Sequence, residues 1–423
     1  MGIKSGLVRR YVVALAVVAV SVALAACGDD SNDSGGGASA KPGDAKLYTE
    51  IPASGCGSKP TVPTDDPDGV LAELPKTQQA GYESLSIPTL ASGWADFKPK
   101  GDPPYTVGLN LVPSINDYIG QINDTLAASL KESPNVGKVI TKTSQSTTDV
   151  VGQLANFDVI LREKPDIILS AALQPTPFAQ AVDRAAKQGV PVLSLLNPVP
   201  SKNSINVSFN LYEGLANSTA TMLRLIGGKG NTMFASGIPG DMATDLGLKA
   251  YKDAIKSCPD VKDLGQVYGN YTNSIAKRET LTFLATHPQK IAAVGNAASM
   301  APGVMQAFQQ SGRPMPIVQD TAGQKGSLGY WRQNSDYQGV GYGTPPAPTA
   351  RTVVNVALRV LEGQGPKLNN IVTLAPPITP ANLDQWAEPG WTLATVGSAN
   401  GPDKVIMSDA YLNPMFKNGA APK

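Results

Sequence analysis

The sequence is poor in the residues on which metal binding and nucleophilic catalysis depend. Its 423 residues include one histidine, His287, and three cysteines. A structural zinc site with four such ligands would need every one of these residues, and a Ser-His-Asp triad would need the single histidine as its base. His287 precedes Pro288 at the expected end of a helix, where an interaction with the helix dipole is the ordinary role. We therefore expect no metal, no cofactor and no enzymatic activity.

The sequence also lacks an excess of charge of either sign. Lys and Arg number 35 and Asp and Glu number 34, which gives a formal net charge of +1. A protein that binds nucleic acid carries a basic surface that faces the phosphates. We therefore expect no nucleic-acid partner. An apolar fraction of 42% excludes wholesale disorder, and the length predicts two or three domains.

One long apolar run is present, and it lies at the N-terminus. Lys4, Arg9 and Arg10 precede an uncharged run of 16 residues, from 11 to 26. A bilayer span needs about 20 residues, so the run indicates a signal peptide. The small residues before Cys27 resemble a bacterial lipobox. This resemblance implies cleavage after residue 26, a lipid anchor on Cys27 and an extracytoplasmic location; the alternative is a plain anchor helix with an incidental cysteine.

Two segments of unusual composition follow the expected anchor. Residues 27–45 are rich in Gly and Ser and are typical of a tether, and residues 46–104 form a Pro-rich extension with little periodicity. Cys56 and Cys258 are the two remaining cysteines, and an oxidising compartment permits a disulfide between them. The alternative is a pair of free thiols.

From residue 105 onward, short apolar runs alternate with amphipathic segments, which is typical of βαβ units. The first helix carries Ile115, Ile119, Ile122, Leu126 and Leu130 at helical spacing. The pattern restarts after residues 205–209, so we predict an α/β fold with two doubly wound parallel-sheet lobes. The predicted strands are 105–111, 138–141, 166–171, 190–196, 231–235, 264–268, 290–295, 316–320, 337–342 and 371–374.

Seven stretches of this region are informative in their order and spacing: Tyr105-Thr-Val-Gly-Leu, Asn116-Asp117-Tyr118, Pro165-Asp166-Ile-Ile-Leu, Gly189-Val-Pro-Val-Leu, Gly247-Leu-Lys-Ala-Tyr251, His287-Pro-Gln-Lys-Ile-Ala-Ala-Val and Ile317-Val318-Gln319-Asp320. Together they resemble the type I, ribose-type periplasmic substrate-binding proteins of ABC importers, over about residues 105–375. The resemblance implies a hinge of three crossings, here near 207–210, 343–345 and 369–372. It predicts an N-lobe of 105–208 plus 344–370, a C-lobe of 209–343 plus 371–385, and a C-terminal extension of 386–423.

In open α/β sheets ligands bind beyond the carboxyl ends of the strands, so two facing sheets place their loops in one cleft. Carried over from the family, the ligand-binding positions include Asn116, Tyr118, Tyr271 and Asp320. Two tyrosine rings, one from each lobe, can sandwich a ring-shaped ligand. The alternatives are two ordinary buried tyrosines, and a capping role for Asp320 at the following helix.

At other positions the sequence departs from the sugar-binding pattern of the family. The positions that correspond to its sugar-gripping residues, or lie beside them at the crossings, are Gln174, Asn210, Thr244, Asp245, Asn296 and Thr344. The guanidinium of a family arginine is thus replaced by a hydroxyl or a carboxylate, which is not a conservative change. A different sugar or polyol, or an amine or heterocycle, remains open as the ligand. Asp245 also suits the positive end of a helix dipole.

These features together predict a monomeric lipoprotein that captures a small cyclic polar solute and delivers it to an ABC permease. One alternative is a component that presents its ligand to a membrane receptor. Another is an exported enzyme on the same scaffold, which would need a paired nucleophile and base.

Overall fold

The computed structural model describes residues 45–420, and within them twelve strands form two six-stranded sheets. The first sheet contains β1 (Tyr105–Leu111), β2 (Val136–Thr143), β3 (Ile167–Ala172), β4 (Val192–Leu196), β5 (Ser204–Phe209) and β11 (Asn370–Thr373). The second contains β6 (Gly230–Ser236), β7 (Val261–Tyr268), β8 (Ile291–Asn296), β9 (Ile317–Asp320), β10 (Val340–Tyr342) and β12 (Pro377–Ile378). The strand orders are β11-β5-β4-β3-β1-β2 and β12-β10-β9-β8-β6-β7, and only β12 pairs antiparallel.

Helices connect these strands, and each sheet with its helices forms one lobe. The longer helices are α3 (Asp117–Glu132), α4 (Val150–Arg162), α5 (Ala179–Lys187), α6 (Leu211–Leu225), α7 (Met242–Ile255), α8 (Asn273–Thr286), α9 (Ala301–Gln310), α10 (Lys325–Gln333) and α11 (Pro346–Leu361). Short helices in the extensions are α1 (Lys46–Thr49), α2 (Lys76–Gln79), α12 (Leu383–Trp386) and α13 (Asp409–Leu412). Short 3-10 turns lie at Val70–Glu73, Ala80–Tyr82, Thr176–Phe178 and Asn413–Met415. The predicted α/β class with two parallel-sheet lobes is confirmed.

Helix α3 illustrates why these segments fold as they do. The Asn116 carboxamide oxygen accepts a hydrogen bond from the Ile119 backbone nitrogen at 2.9 Å and so caps the helix. The apolar positions with helical spacing, Ile119, Ile122, Leu126 and Leu130, are all buried. Their burial against the sheet stabilises the helix and places its N-terminus, with Asn116, beyond the carboxyl end of β1.

The chain crosses between the lobes at residue 210, at 343–345 and at 374–376. The third crossing was expected near 369–372, with the lobe boundary at residue 370. Instead, residues 370–373 pair in parallel with residues 206–209 of β5, so the whole of β11 belongs to the first sheet. The chain leaves this lobe only after Thr373, because strand pairing continues to that residue.

The two extensions pack against the lobes. Tyr82 is fully buried, and its hydroxyl donates to the Asn370 carbonyl at 2.7 Å at the β11 edge of the first sheet. Trp94 donates through Nε1 to the Asn203 carbonyl at 2.6 Å. In the C-terminal extension, Trp386 is buried in an apolar cluster of the second lobe. The extensions therefore complete the cores of the lobes instead of standing apart from them.

A disulfide joins Cys56 in the N-terminal extension to Cys258, which follows α7 in the second lobe. The two residues are 202 positions apart in sequence, and their Cα atoms lie 4.5 Å apart. The same part of the extension is also held by Arg224, which donates to the Leu47 and Gly57 carbonyls. Its attachment is therefore both covalent and polar.

The expected signal peptide and the proposed lipidation site at Cys27 lie outside the described residues. Within residues 45–420, none of the helices combines the length and the apolar character that crossing a bilayer requires.

Candidate functional site

A cavity of about 100 Å³ lies between the two lobes. Its walls come from the loops after β1, β3 and β4, from β5 itself, and from the loops after β6 to β10. These loops all follow the carboxyl ends of parallel strands, where α/β sheets bind ligands. The apolar lining consists mainly of Ile115, Ile119, Leu173, Leu196, Val207, Phe209, Leu211, Leu215, Ala243, Ala297, Ala298 and Ala322.

Three tyrosines contribute aromatic surface to this cavity: Tyr118 from the first lobe, and Tyr271 and Tyr342 from the second. Burial raises the pKa of the Tyr118 hydroxyl, and its hydrogen bond with Thr344 opposes that shift. Burial also raises the pKa of Tyr342, which is 2% exposed. All three rings are therefore neutral phenols at physiological pH and offer apolar faces to a ligand.

Tyr271 belongs to a buried polar cluster with Asp241. The Tyr271 hydroxyl donates to the Asp241 carboxylate and also bonds the Thr244 hydroxyl at 2.7 Å. The same carboxylate accepts from the Thr244 backbone nitrogen at 3.1 Å and from Asn197 Nδ2 at 2.9 Å. Burial raises the pKa of Asp241, while these hydrogen bonds counteract that rise. The carboxylate is thus satisfied by the protein itself.

The Tyr271 ring is held in place by its backbone and by a glycine. Its φ of +56° lies in the left-handed region, which is uncommon for a residue with a bulky side chain. A Cβ atom at Gly237 would lie 2.1 Å from Tyr271 ring carbons and 2.6 Å from the Thr244 hydroxyl. A glycine at position 237 is therefore required for this ring to enter the cavity wall.

Two hydrogen bonds join the lobes directly at the cavity. Asn116 Nδ2 in the first lobe donates to the Tyr271 carbonyl in the second at 2.8 Å. Asn197 in the first lobe donates to Asp241 in the second. At the rim, the Ser398 backbone nitrogen of the C-terminal extension donates to Asp117 at 2.9 Å. The lobes are therefore in contact, and the cavity lies between them.

Two hydroxyls in the cavity wall have no hydrogen-bond partner among the described residues. Ser208 Oγ belongs to β5 of the first lobe, and Thr321 Oγ1 follows β9 of the second. Ser208 is 6% exposed and Thr321 is 2% exposed. Neighbouring atoms shield both oxygens from the cavity space, and a buried hydroxyl without a partner lowers the stability of the wall.

Comparison with protein families places this fold and cavity in context. The family model described as the periplasmic binding protein domain matches residues 107–365, which is more than half of the chain. The chain belongs to this family. The resemblance found in the sequence is therefore confirmed at the level of the family, as is the type I fold.

Solved structures agree with this assignment. An ABC transporter solute-binding protein from Thermobispora bispora is 21% identical, with a TM-score of 0.60, over 71% of this chain and 90% of that one. A solute-binding protein from Bacillus halodurans with bound myo-inositol is 16% identical, with a TM-score of 0.61, over 68% and 98%. One from Burkholderia graminis in complex with D-arabinose is 15% identical, with a TM-score of 0.60, over 68% and 100%. At these identities the similarity shows the shared fold.

Four of the sequence-predicted residues of this periplasmic binding protein meet at the cavity: Asn116, Tyr118, Tyr271 and Thr344. Thr344 lies at the second crossing, where it bonds Tyr118. Thr244 lies behind Tyr271 and bonds its hydroxyl. The two tyrosines predicted to sandwich a ligand thus both line the cavity, one from each lobe.

Two predicted residues lie outside the cavity, at a more open pocket. Gln174 of the first lobe and Asp245 of the second both line this pocket, together with Pro175, Pro177 and other residues. Asp245 is exposed in the first turn of α7. That position fits the helix-dipole role considered as the alternative.

Three further predicted residues do not line the cavity. Asn210 donates to the Gly81 and Glu83 carbonyls of the N-terminal extension. Asn296 donates to the Gln319 carbonyl on the neighbouring strand at 3.1 Å. Asp320 binds backbone nitrogens of the turn that follows it.

The Asp320 carboxylate supports the turn that leads into α10. It accepts from the Ala322 and Gln324 backbone nitrogens and from the Ser327 hydroxyl at 2.7 Å. Burial raises its pKa, and these hydrogen bonds oppose the rise. The carboxylate thus holds the turn before α10, whose N-cap is Gln324, and Thr321 and Ala322 line the cavity in its place.

Sequence reasoning missed several residues of the cavity wall: Asn197, Ser208, Asp241, Thr321 and Tyr342. Most of them lie within a few residues of the carboxyl end of a predicted strand, which is the signal that could have found them. Thr321 directly follows Asp320, and Asp241 precedes Thr244 by three positions. The family pattern directed attention to the neighbouring residues instead.

Proposed function

We propose that this chain is a lipid-anchored, extracytoplasmic solute-binding protein that captures a small cyclic hydroxylated molecule between its lobes and delivers it to an ABC permease. The observation that carries the proposal is the cavity at the carboxyl ends of both sheets, lined from both lobes. Membership in the periplasmic binding protein family supports it. The solute-binding proteins of similar fold with bound myo-inositol or D-arabinose support a small cyclic ligand.

The mechanism is hinge closure about the three crossings. A ligand that contacts both walls stabilises the closed arrangement, because an open cleft offers it contacts with only one lobe at a time. The hydrogen bonds from Asn116 to Tyr271 and from Asn197 to Asp241 form only when the lobes meet. The permease then recognises a closed, loaded protein.

Calorimetry of the mature chain against a panel of sugars, polyols and related ring compounds tests this function. We expect at least one compound to bind at a stoichiometry of one, and small-angle scattering to show a smaller radius of gyration with that compound. The absence of binding across the panel, or binding without compaction, would count against the proposal.

Replacing Gly237 by alanine is expected to weaken binding of that compound. The added Cβ overlaps the Tyr271 ring and must displace it from the cavity wall. Overpacking of this kind costs about 1–3 kcal/mol, which corresponds to a loss of affinity of about 5- to 150-fold. Gly390→Ala is the matched control, since a Cβ there meets nothing within 4 Å. Equal affinities of the two variants would contradict the assigned site.

The lipid anchor on Cys27 has its own test. Acyl chains contribute about 0.8 kcal/mol per buried CH₂, so two or more chains hold a protein stably on a membrane. We expect the full-length protein from its native envelope to enter the detergent phase in a detergent partition, and Cys27→Ser to move it to the aqueous phase. A wild-type protein found in the aqueous phase would contradict lipidation.

A further inference from the structure

We propose that the C-terminal extension acts as a latch that favours the closed arrangement of the lobes before any ligand binds. Its rim segment, residues 397–400, is attached to the second lobe and bonds Asp117 of the first lobe across the cleft. The proposal rests on the hinge closure of the proposed function and concerns the balance between open and closed chains. Both extensions lie outside the matched family domain, which spans residues 107–365.

The rim segment moves with the second lobe, because hydrogen bonds attach it to the start of α10. The Lys325 backbone nitrogen donates to the Gly397 carbonyl at 2.9 Å. The Gln324 side-chain amide donates to Ser398 Oγ at 2.8 Å, and these two residues also form an antiparallel bridge. Trp386, earlier in the same extension, is buried in an apolar cluster of the second lobe.

Ser398 also contacts the first lobe. Its backbone nitrogen donates to the Asp117 carboxylate at 2.9 Å. Gln121 Nε2 donates to the same carboxylate and to the Ser398 carbonyl, the latter at 3.4 Å. Asp117 and Gln121 lie on consecutive turns of α3, and Ser398 is fully buried. Opening the cleft therefore breaks these bonds and leaves a buried backbone N–H without its acceptor.

Beyond the rim segment the extension continues onto the first lobe. Asn400 Oδ1 accepts from the Ala347 backbone nitrogen at 3.2 Å, at the start of α11. The Ile406 backbone nitrogen donates to Thr352 Oγ1 at 3.0 Å on the same helix. Phe416 is buried in the core of the first lobe. The extension is thus a further connection between the lobes, beside the three crossings, and it keeps the rim segment close to α3.

The latch contributes a moderate factor to closure, because Asp117 is exposed to solvent. A hydrogen bond of this kind changes an equilibrium about three- to tenfold. Neither Asp117, Gln121 nor Ser398 lines the cavity, so they act on a ligand through the position of the lobes. The apparent affinity of a ligand that needs the closed arrangement rises with the closed fraction.

Pulsed electron paramagnetic resonance between two spin labels measures the closed fraction without a ligand. Val151→Cys and Tyr268→Cys, in a chain that carries Cys27→Ser, place one label on each lobe at an exposed position. Val151 follows β2 and Tyr268 ends β7, the edge strands opposite to the hinge in the two sheets. We expect the short distance to predominate in this chain, and Asp117→Ala to raise the ratio of long to short distances about three- to tenfold. A mainly open parent chain would overturn the proposal.

Two further variants separate the latch from a general effect on α3. Asp117→Asn keeps an oxygen acceptor for Ser398 but removes the charge, so we expect its distances to stay closer to the parent chain than those of Asp117→Ala. A role limited to the helix dipole would make the two variants alike, and that result would overturn the proposal. Asp124→Ala, at an exposed carboxylate on the same helix, is the matched control, and a shift as large as that of Asp117→Ala would also overturn it.

A second background keeps the measurement sensitive when almost every parent chain is closed. Asn197→Ala removes the direct bond between Asn197 and Asp241 of opposite lobes and so raises the open fraction. We expect Asp117→Ala to have the same three- to tenfold effect in this background, because the two contacts are separate. An unchanged ratio in both backgrounds would overturn the latch.

The same labels distinguish a wrong latch from a wrong function. If D-arabinose, myo-inositol or another compound of the panel shortens the distance and Asp117→Ala has no effect, the latch fails and the proposed function stands. If neither a compound nor a variant changes the distance, both fail, because the lobes then do not move.

Discussion

Replacing both Cys56 and Cys258 by serine is expected to lower the free energy of unfolding by about 5 kcal/mol. The disulfide closes a loop over 202 positions, and in the chain-entropy model the stabilisation grows with the logarithm of loop length. Cys258 is also 1% exposed and lies in a small apolar cluster with Leu223 and Ala254, where a serine hydroxyl is disfavoured. Urea unfolding followed by circular dichroism measures the loss.

The matched control for the disulfide is Lys59→Ala, in the same part of the N-terminal extension. Lys59 forms an ion pair with Glu213 at 2.7 Å, and the side chains are 20% and 14% exposed, so its loss is expected to cost about 1–3 kcal/mol, less than the disulfide. A double-serine variant that unfolds within 1 kcal/mol of the wild type would show that the disulfide contributes little. In that case the polar contacts of Arg224 would be sufficient to hold the extension.

Arg359→Ala is expected to cost about 3–5 kcal/mol of unfolding free energy. Arg359 lies on α11 with a fully buried side chain, and its guanidinium donates to Asp409 at 2.6 Å and Asn413 at 2.9 Å in the C-terminal extension. It also lies over the Phe416 ring, 5.5 Å from the centroid. Removing this side chain detaches the extension from α11 and leaves a large cavity in the first lobe.

Two further variants separate charge from geometry. Arg359→Lys keeps the charge but loses the planar arrangement of donors, so we expect a substantial loss of stability in this variant as well. Arg351→Ala is the control on the same helix, since Arg351 donates to the Lys404 carbonyl at 2.8 Å from a more exposed position. A loss in Arg351→Ala as large as that in Arg359→Ala would contradict a special role for the buried guanidinium.

The ion pair also predicts a pH dependence. Hydrogen bonds from Arg359 and Asn355 lower the pKa of Asp409 below its usual value. A carboxyl whose pKa is lower in the folded state stabilises the fold above its unfolded pKa of about 4, and that contribution is lost as the pH falls through the folded value. We therefore expect Arg359→Ala to reduce the acid sensitivity of unfolding below about pH 4, as measured by urea midpoints across this range.

The strand bounds show how much of the fold the local sequence pattern predicts. The prediction for the first strand, 105–111, coincides with β1, and most others differ by one to three residues. Short apolar runs predict strands, and apolar residues at helical spacing predict helices. Both patterns involve residues close in sequence, so they can be recognised without knowing which distant residues are in contact. The third crossing was misplaced because β11 ends where its pairing with β5 ends, and pairing joins residues 164 positions apart.

The residues of the cavity wall were predicted less completely than the strands. Tyr118 and Tyr271 were identified, whereas Asp320 serves its own following turn and Asp241 was missed. A polar side chain is available to a ligand only if its hydrogen-bonding groups are not already paired within the protein. The residues that pair with it are distant in sequence. Asn116 is 155 positions from its acceptor at Tyr271, and Asn197 is 44 positions from Asp241.

Sequence periodicity and turn chemistry were thus enough to specify two parallel sheets, their helices and the edge at which a ligand binds. The chemical character of the cavity was decided only when the lobes came together. In the closed arrangement, Asn116, Asn197 and Asp241 use hydrogen-bonding groups in contacts between the lobes. The Ser208 and Thr321 hydroxyls have no partner within the described chain. Hydrogen-bond satisfaction is a property of the assembled neighbourhood, and no local pattern of residues encodes it.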